Sequence, residues 1–538
     1  MNDAGRIPVI VGVTGHRDLR EEDIEILKKA VKGELEALQS RCPHSSIIVM
    51  TSLAEGADQL CAEVALDMGL ELISILPMPL KDYAKDFETM PMGDLIRLAD
   101  ASSKVIVTPY IEEYDERYGS ERDWLYRQAG LYVAKHSHVL MALWDGSRGD
   151  ECGCGTASIV TAMLDGWFRG SKSGQLHPDD RAAIQIVTPR SAQAEPAAGD
   201  AGPVAGEVIM HGNAAALNSV LRETEIFNLD AEQGDLKIEI SGEKDRTLAG
   251  LRALYESADS LSMENAVKHR RLLAGLSTAA TVLAMSFLLY DEADWFWMIL
   301  VCGVMIIALF LINRLCRRSK YQARYLEYRV LAESLRVQYH LRSAGVGCEV
   351  SDIMPWNIQL AMPWVRKAAA AMMTGAPPLD RKSIRDSWVI DQRDYHRDAL
   401  KRTEAKLKSN DRILRVALIM TLLIYALALV FEIGCGGLLG GKVVFPPEVN
   451  DTIRMYIKIA MGTFSAGTLF AGNYYGKQAL PNMMDDHRKM VILYEEAAAE
   501  IGRLGENEDL LIRLAENELA ENANWYAYQS KNEPELGI

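Results

Sequence analysis

The sequence predicts an α/β head, a Rossmann-like doubly wound parallel sheet, joined to an all-α membrane region of four transmembrane helices in two hairpins with cytosolic helical extensions. Three observations carry that prediction. Short apolar, β-branched segments alternate with helical patterns over residues 1–190, the mark of successive βα units. Four later runs approach the ~20 apolar residues that a helix needs to cross a bilayer. Lys and Arg cluster on one side of those runs, as the positive-inside rule requires.

Within the head, Ile7–Val13 reads as a buried strand, followed by Thr14-Gly15-His16-Arg17 and an amphipathic helix from about Glu21 to Gln39. Ile47–Thr51 is a second strand, followed by Ser52-Leu53-Ala54-Glu55-Gly56-Ala57-Asp58 and a helix through Asp67. Leu72–Leu76, Val105–Val107, Val139–Leu143 and Ile184–Val187 continue the strand series, with helices over Arg122–Lys135 and Ala157–Trp167. Ser191–Gly206 is rich in Ala, Gly and Pro and reads as a disordered insertion or linker. Glu223–Asp245 has some strand character. The domain plan is then a head at 1–190, a linker at 191–257, a first hairpin with its extension at 258–345, a cytosolic helical connector at 346–412 and a second hairpin at 413–538.

The expected spans are Leu272–Tyr290, Trp295–Ile312, Val416–Ile433 and about Met455–Ala471. The fourth is the weakest, because Lys458 sits near its start and Gly462, Gly467 and Gly472 recur along it. For each run the alternative is a buried soluble helix. The loop Asp291–Asp294 is acidic, and Gly434–Asp451 contains Lys442 as its one base. Basic residues flank the other ends: Arg270 and Arg271, Arg314 to Lys320, Lys401 to Arg415, then Lys477, Arg488 and Lys489. That asymmetry puts both termini in the cytosol.

Acidic residues outnumber basic ones, 74 to 58, for a net charge of −16 in 538 residues. A general nucleic-acid partner is therefore not expected. The eight cysteines are scattered rather than set in a disulfide framework. Met1–Pro8 is polar and carries no signal-peptide core, so the head is expected to fold in a reducing cytosol.

Small and polar residues fall at three strand-to-helix junctions: Gly12 to Arg17, Ser52 to Asp58, and Gly153-Cys154-Gly155-Thr156. Glycines allow close backbone approach, and helix N-termini present N–H groups to anions. Thr14, Ser52 and Thr156 add hydroxyls, Arg17 can pair with a phosphate, and Glu55 and Asp58 can accept from ribose hydroxyls. The candidate ligand site is Gly12, Thr14, Gly15, His16, Arg17, Ser52, Glu55, Gly56, Asp58, Asp145, Gly153, Gly155 and Thr156, with Glu55 and Asp58 as the catalytic candidates if there is catalysis. Any one glycine-rich junction is more often a tight turn; three in one alternating unit favour a phosphate-and-sugar site. His16 reads as an orienting loop residue rather than a base. Arg127 either reaches the site from its helix or is solvated. Cys152 and Cys154 form a C-x-C pair without further ligands, so no metal is expected.

Ser52–Asp58 resembles the S-G-L-A-x-G-I-D signature of Smf/DprA proteins, and Gly153–Thr156 resembles a shortened G-G-x-G-T loop of the LOG hydrolases. Together with Thr14–Arg17 they resemble the SLOG superfamily over about Ile7 to Arg190. Ala332–Gln338 and Glu521–Trp525 resemble a doubled SLATT-type membrane effector, over about Ala258 to Trp525. The resemblance implies a sensor of a nucleotide- or NAD-derived signal coupled to a membrane effector in defence against phage. It implies a homo-oligomer, a lipid bilayer as partner, the bacterial inner membrane as location, and no required cofactor. LOG hydrolases carry a glutamate shortly after Gly-Thr; here Ala157-Ser158-Ile159-Val160 follows. That departure moves the expectation from hydrolase toward sensor. A membrane-tethered nucleotide-processing enzyme (an N-glycosidic bond hydrolase or transferase) and a non-catalytic scaffold are the alternatives.

Overall fold

The computed structural model describes residues 5–109, 113–116, 119–147, 153, 155–165, 181–191, 204–234, 245–375, 382–435, 444–476 and 480–531. Cys152, Cys154, Pro377, Pro378, Lys442, Lys477 and most of the Ser191–Gly206 segment lie outside them. The chain forms two compact units. The first comprises Met1–Leu261, Val330–Ser383 and Leu511–Ala520; the second comprises Ser262–Arg329, Ile384–Leu510 and Glu521–Ile538.

The first unit is built on strands β1 (Val9–Gly15), β2 (Ile47–Thr51), β3 (Glu71–Leu76), β4 (Lys104–Val107), β5 (Val139–Trp144), β6 (Ala182–Val187) and β7 (Val208–Gly212). Between them run α1 (Ile24–Arg41), α2 (Ala57–Asp67), α3 (Leu80–Tyr83), α4 (Thr89–Ala101), α5 (Glu121–His136), α6 (Thr156–Asp165) and α7 (Ala214–Gln233). The sheet order is β4-β3-β2-β1-β5-β6-β7. All neighbours are parallel except β6 and β7. One apolar core packs α1, α2, α4 and α7 on one face, and a second packs α5 and α6 on the other. Helices on both faces bury both sides of β1, β2 and β5, which is why these strands read as unbroken apolar runs.

The strand order reverses between β1 and β5, and a crevice at such a switch point is where open α/β sheets bind ligands. The structure extends the head beyond residue 190. Val208–Gly212, expected as linker, pairs antiparallel with β6, and Glu223–Gln233, expected to have strand character, belongs to α7. The physical reason is helical spacing: Leu217, Val220, Leu221, Thr224, Phe227, Asn228 and Ala231 are buried along one side of α7.

The remaining helices are α8 (Arg246–Glu292), α9 (Met298–Ser319), α10 (Tyr321–Ser343), α11 (Val350–Ile353), α12 (Trp356–Ala361), α13 (Pro363–Ala371), α14 (Asp391–Gly434), α15 (Pro447–Gly476), α16 (Leu480–Leu504) and α17 (Glu508–Gln529). Among the described residues, three helical stretches are long and apolar enough to cross a membrane: Arg246–Glu292, Met298–Ser343 and Arg385–Gly434. Their most apolar windows are only 17%, 6% and 0% buried. Such side chains are not a core of this chain, so the buried-soluble-helix alternative does not hold for these three. The expected fourth span lies in α15, which is long but diluted by Lys458, Gly462, Thr463 and Gly467.

Within the second unit, a Cβ on Gly462 of α15 would stand 2.5 Å from Leu288 Cδ2 of α8. That glycine serves close helix packing. Arg454 Nε lies 2.6 Å from Glu432 Oε1 of α14, and Lys458 Nζ lies 2.9 Å from Glu292 Oε2 of α8.

Candidate functional site

The first junction turns sharply at the end of β1. His16 N–H donates to Leu143 O of β5 at 3.0 Å, while His16 O accepts from Ala57 N–H, the first residue of α2, at 3.0 Å. The backbone therefore ties the first junction to both neighbours. A Cβ on Gly15 would overlap Ala57 Cβ, so only glycine lets these elements approach. Gly56 has φ +85°, and a Cβ there would overlap Arg17 O and stand 2.7 Å from His16 O. Gly12 is not brought to this edge: it faces α5 inside the sheet, against Val133 and Ser137.

His16 is buried and meets Asp145 and Arg190. Its Nε2 accepts from the Asp145 backbone N–H at 3.2 Å and from Arg190 Nε–H at 3.3 Å. Burial and the Arg190 charge hold its pKa below the ordinary imidazole value, against the pull of Asp145. A neutral ring whose Nε2 lone pair already faces two donors is an orienting group and is not set to take a proton there. Burial opposes ionisation of Asp145, but hydrogen bonds from the Ser147 side chain and backbone, with His16, hold its carboxyl below the usual range. Arg190 Nε also lies 3.6 Å from Asp145 Oδ2. Arg190 follows β6, the strand beside β5, and so stands at the same sheet edge.

At the second junction, Asp58 is buried and turned inward. Its Oδ2 accepts from Ser52 N–H at 3.2 Å and Ala54 N–H at 3.4 Å. Burial pushes its carboxyl up to about 6, although Thr51, the two backbone bonds and Arg17 work the other way. Asp58 thus shapes the loop from within, while Glu55 is half-buried on the turn itself. Tyr83 of α3 donates to Ser52 O at 3.2 Å and closes the loop from the other side.

The third junction is latched by Arg127 of α5. Its Nη1 donates to Gly153 O at 2.9 Å and to Ser158 Oγ at 3.0 Å, and Ser158 Oγ–H donates to the same carbonyl at 2.5 Å. Gly155 O accepts from Ser158 N–H at 3.0 Å in the first turn of α6, and Thr156 begins that helix as a buried residue. The preceding residue, Tyr126, lies under the Arg17 guanidinium, 4.7 Å from ring centre to Cζ. Tyr126 also hydrogen-bonds Asp86, which Arg122 grips at 2.9 and 2.7 Å. Consecutive residues of α5 therefore hold the first and third junctions.

Thr14, at the end of β1, is half-buried beside Gly15. Sequence reasoning missed Arg190, Tyr83, Tyr126 and Asp86. A polar residue just past an apolar parallel strand was the available signal for Arg190. Nothing local marks Tyr83 or Tyr126. Among the described residues no group of three or more His, Cys, Asp or Glu side chains is arranged to hold a metal. No protein-family model matches the chain, and no curated protein matches it.

Proposed function

We propose that the head binds a nucleotide-derived anion at the β1/β5 switch point and that the apolar helices form the membrane effector of that signal. The observation that carries the reading is the Arg190 guanidinium on the buried His16–Asp145 pair, at the edge where the strand order reverses, with Arg17 on the adjoining β1 loop over Tyr126. Guanidinium groups bind phosphate through paired N–H donors. The chemistry fits the SLOG-like and SLATT-like resemblances, with anti-phage defence as the biological setting. His16 lacks the geometry of a base, which favours sensing over hydrolysis.

In this reading all four apolar helices cross the inner membrane, α15 included, with both termini in the cytosol. The ion pairs Arg454–Glu432 and Lys458–Glu292 support it, because they neutralise the bases of α15 near the outer surface. Exposed Trp295, Phe296 and Trp297 between α8 and α9 suit an interfacial belt. Transmission runs through α5, whose other end is fastened to the connector within the first unit. Lys135 Nζ lies 2.9 Å from Glu349 Oε2 and 3.0 Å from Asp352 Oδ2, and His136 Nε2 lies 3.1 Å from Glu349 Oε1. A ligand shifts this arrangement only by binding one state better than the other.

Titration calorimetry of the full chain with NAD, ADP-ribose, AMP and ATP tests the head. One of them binds, and Arg190→Gln weakens it roughly tenfold or more. A wholly negative panel removes the proposal. Dye flux from liposomes tests the effector: a ligand that binds without changing flux leaves a head with no membrane role. Release of a free base, lost in Glu55→Gln, would replace sensing with catalysis.

A further inference from the structure

The second unit treats its bases differently at the two ends of its apolar helices. A Cβ on Gly275 of α8 would stand 3.7 Å from Ile312 Cδ1 of α9, so Arg271 and Arg314 lie at one common end. At the opposite end Glu292 of α8 meets Lys458, and Glu432 of α14 meets Arg454, so the outer ends of α8 and α14 are joined through α15. It follows that Arg412 and Arg415 of α14 belong to the end that carries Arg271 and Arg314. There the pattern inverts. Arg271, Arg314, Arg317, Arg318, Arg412 and Arg415 are exposed, and none makes an ion pair among the described residues. Asp411 is the one acid within four residues of Arg412 or Arg415.

Unpaired charge of one sign is costly to concentrate unless something of the other sign covers it. In a chain of net charge −16 there are acids enough to pair these arginines, as they pair Arg454 and Lys458. We infer that these six arginines form a collar that binds the phosphates of anionic lipid headgroups in the adjoining leaflet. The collar sits directly beside the apolar runs, at headgroup depth for a crossing helix. Arginine presents paired N–H donors that match a phosphodiester, and each base near an anionic leaflet strengthens attraction to it. This inference rests on the membrane reading above, but not on what the head binds.

The test uses the full chain. Membranes are first washed with carbonate. The protein is then purified in non-ionic detergent, equilibrated with mixed micelles of phosphatidylglycerol and phosphatidylcholine, and the retained lipids are counted by mass spectrometry. Phosphatidylglycerol is expected to be enriched roughly threefold or more over its bulk share, and to lose that enrichment in about 1 M salt, where screening is nearly complete. The triple variant Arg314→Gln/Arg317→Gln/Arg318→Gln loses most of it, while Arg454→Gln, at the paired end, keeps it. Equal retention of the two lipids, or enrichment indifferent to salt, overturns the inference even if the triple variant fails to fold. Enrichment abolished by inorganic phosphate at constant ionic strength overturns the lipid as the source in favour of free phosphate. Protein released by the carbonate wash sinks the membrane reading and the collar together; protein held in the pellet without lipid preference sinks the collar alone.

Discussion

Replacing Gly56 by alanine strikes the point where the first two junctions of the head touch. The backbone there has φ +85° and ψ −117°, a conformation essentially reserved for glycine that costs an L-residue roughly 1–3 kcal/mol. The new Cβ would overlap Arg17 O and lie 2.7 Å from His16 O and 2.8 Å from Arg17 C. These are backbone atoms, held by the 3.0 Å bonds from His16 N–H to Leu143 O and from Ala57 N–H to His16 O. They cannot swing aside as a flexible side chain can. Relief requires the β1 and β2 junctions to separate, at the expense of the Ala57 bond, about 1 kcal/mol. Strain, overlap and the lost bond together give a destabilisation of about 3–4 kcal/mol. Urea-dependent hydrogen exchange of peptides covering residues 9–65 reads the head by itself. Gly33→Ala is the internal control: it lies inside α1 with no atom near its Cβ position, so alanine there gains up to about 1 kcal/mol. A loss below about 1 kcal/mol for Gly56→Ala, or an equal loss for Gly33→Ala, would refute the reasoning.

Three further outcomes are expected. Asp58 binds its proton more tightly folded than unfolded, its carboxyl being raised from 3.8 to about 6. Its ionisation therefore removes stability as pH rises from about 4 through 6, amounting to about 3 kcal/mol by pH 7. Asp58→Asn keeps an acceptor oxygen and cannot ionise, so the fall in stability over that window flattens; an unchanged slope in pH-dependent unfolding would count against the buried carboxylate. His138 shows the opposite sign, since burial and Lys367 push its imidazole down to about 3. Its contribution is intact above pH 6.5 and drains away on acidification, about 2 kcal/mol between pH 7 and 5. His138→Asn retains an acceptor for Ile10 N–H, which now donates to Nδ1 at 3.1 Å, and makes thermal unfolding less acid-sensitive. Finally, Lys135→Met leaves the buried Glu349 carboxylate with only its His136 and Ser351 contacts and costs about 2–4 kcal/mol. Adding Glu349→Gln recovers part of that loss, and strictly additive effects of the two changes in a double-mutant cycle would show that the pair is not coupled.

Much of this protein was legible locally. The strands β1, β2 and β5 announce themselves because burial on both faces demands unbroken apolar residues, as in Val9-Ile10-Val11 and Ile47-Ile48-Val49. The apolar runs in α8, α9 and α14 need no partner to be recognised, since length and composition are properties of one segment. The junctions at Thr14–Arg17, Ser52–Asp58 and Gly153–Thr156 were visible as glycine-rich turns, because glycine marks places where backbones meet closely.

What stayed hidden depends on residues far apart in the chain. β7 is exposed except at half-buried His211 and has no alternating burial pattern to betray it, so only pairing with β6 makes it a strand. Asp58 reads locally as a ligand acceptor, and only the fold shows that its carboxylate is buried and braces its own loop. Arg190 reaches His16 across 174 residues, and Lys458 reaches Glu292 across 166. The sequence by itself determined the βα alternation, the three glycine-rich turns and the apolar helices, because each is a local balance of backbone conformation and water avoidance. The tertiary structure alone decided which charges meet, which carboxylate is buried and which bases remain uncovered, because electrostatic partners are chosen by proximity in space and not by position in the chain.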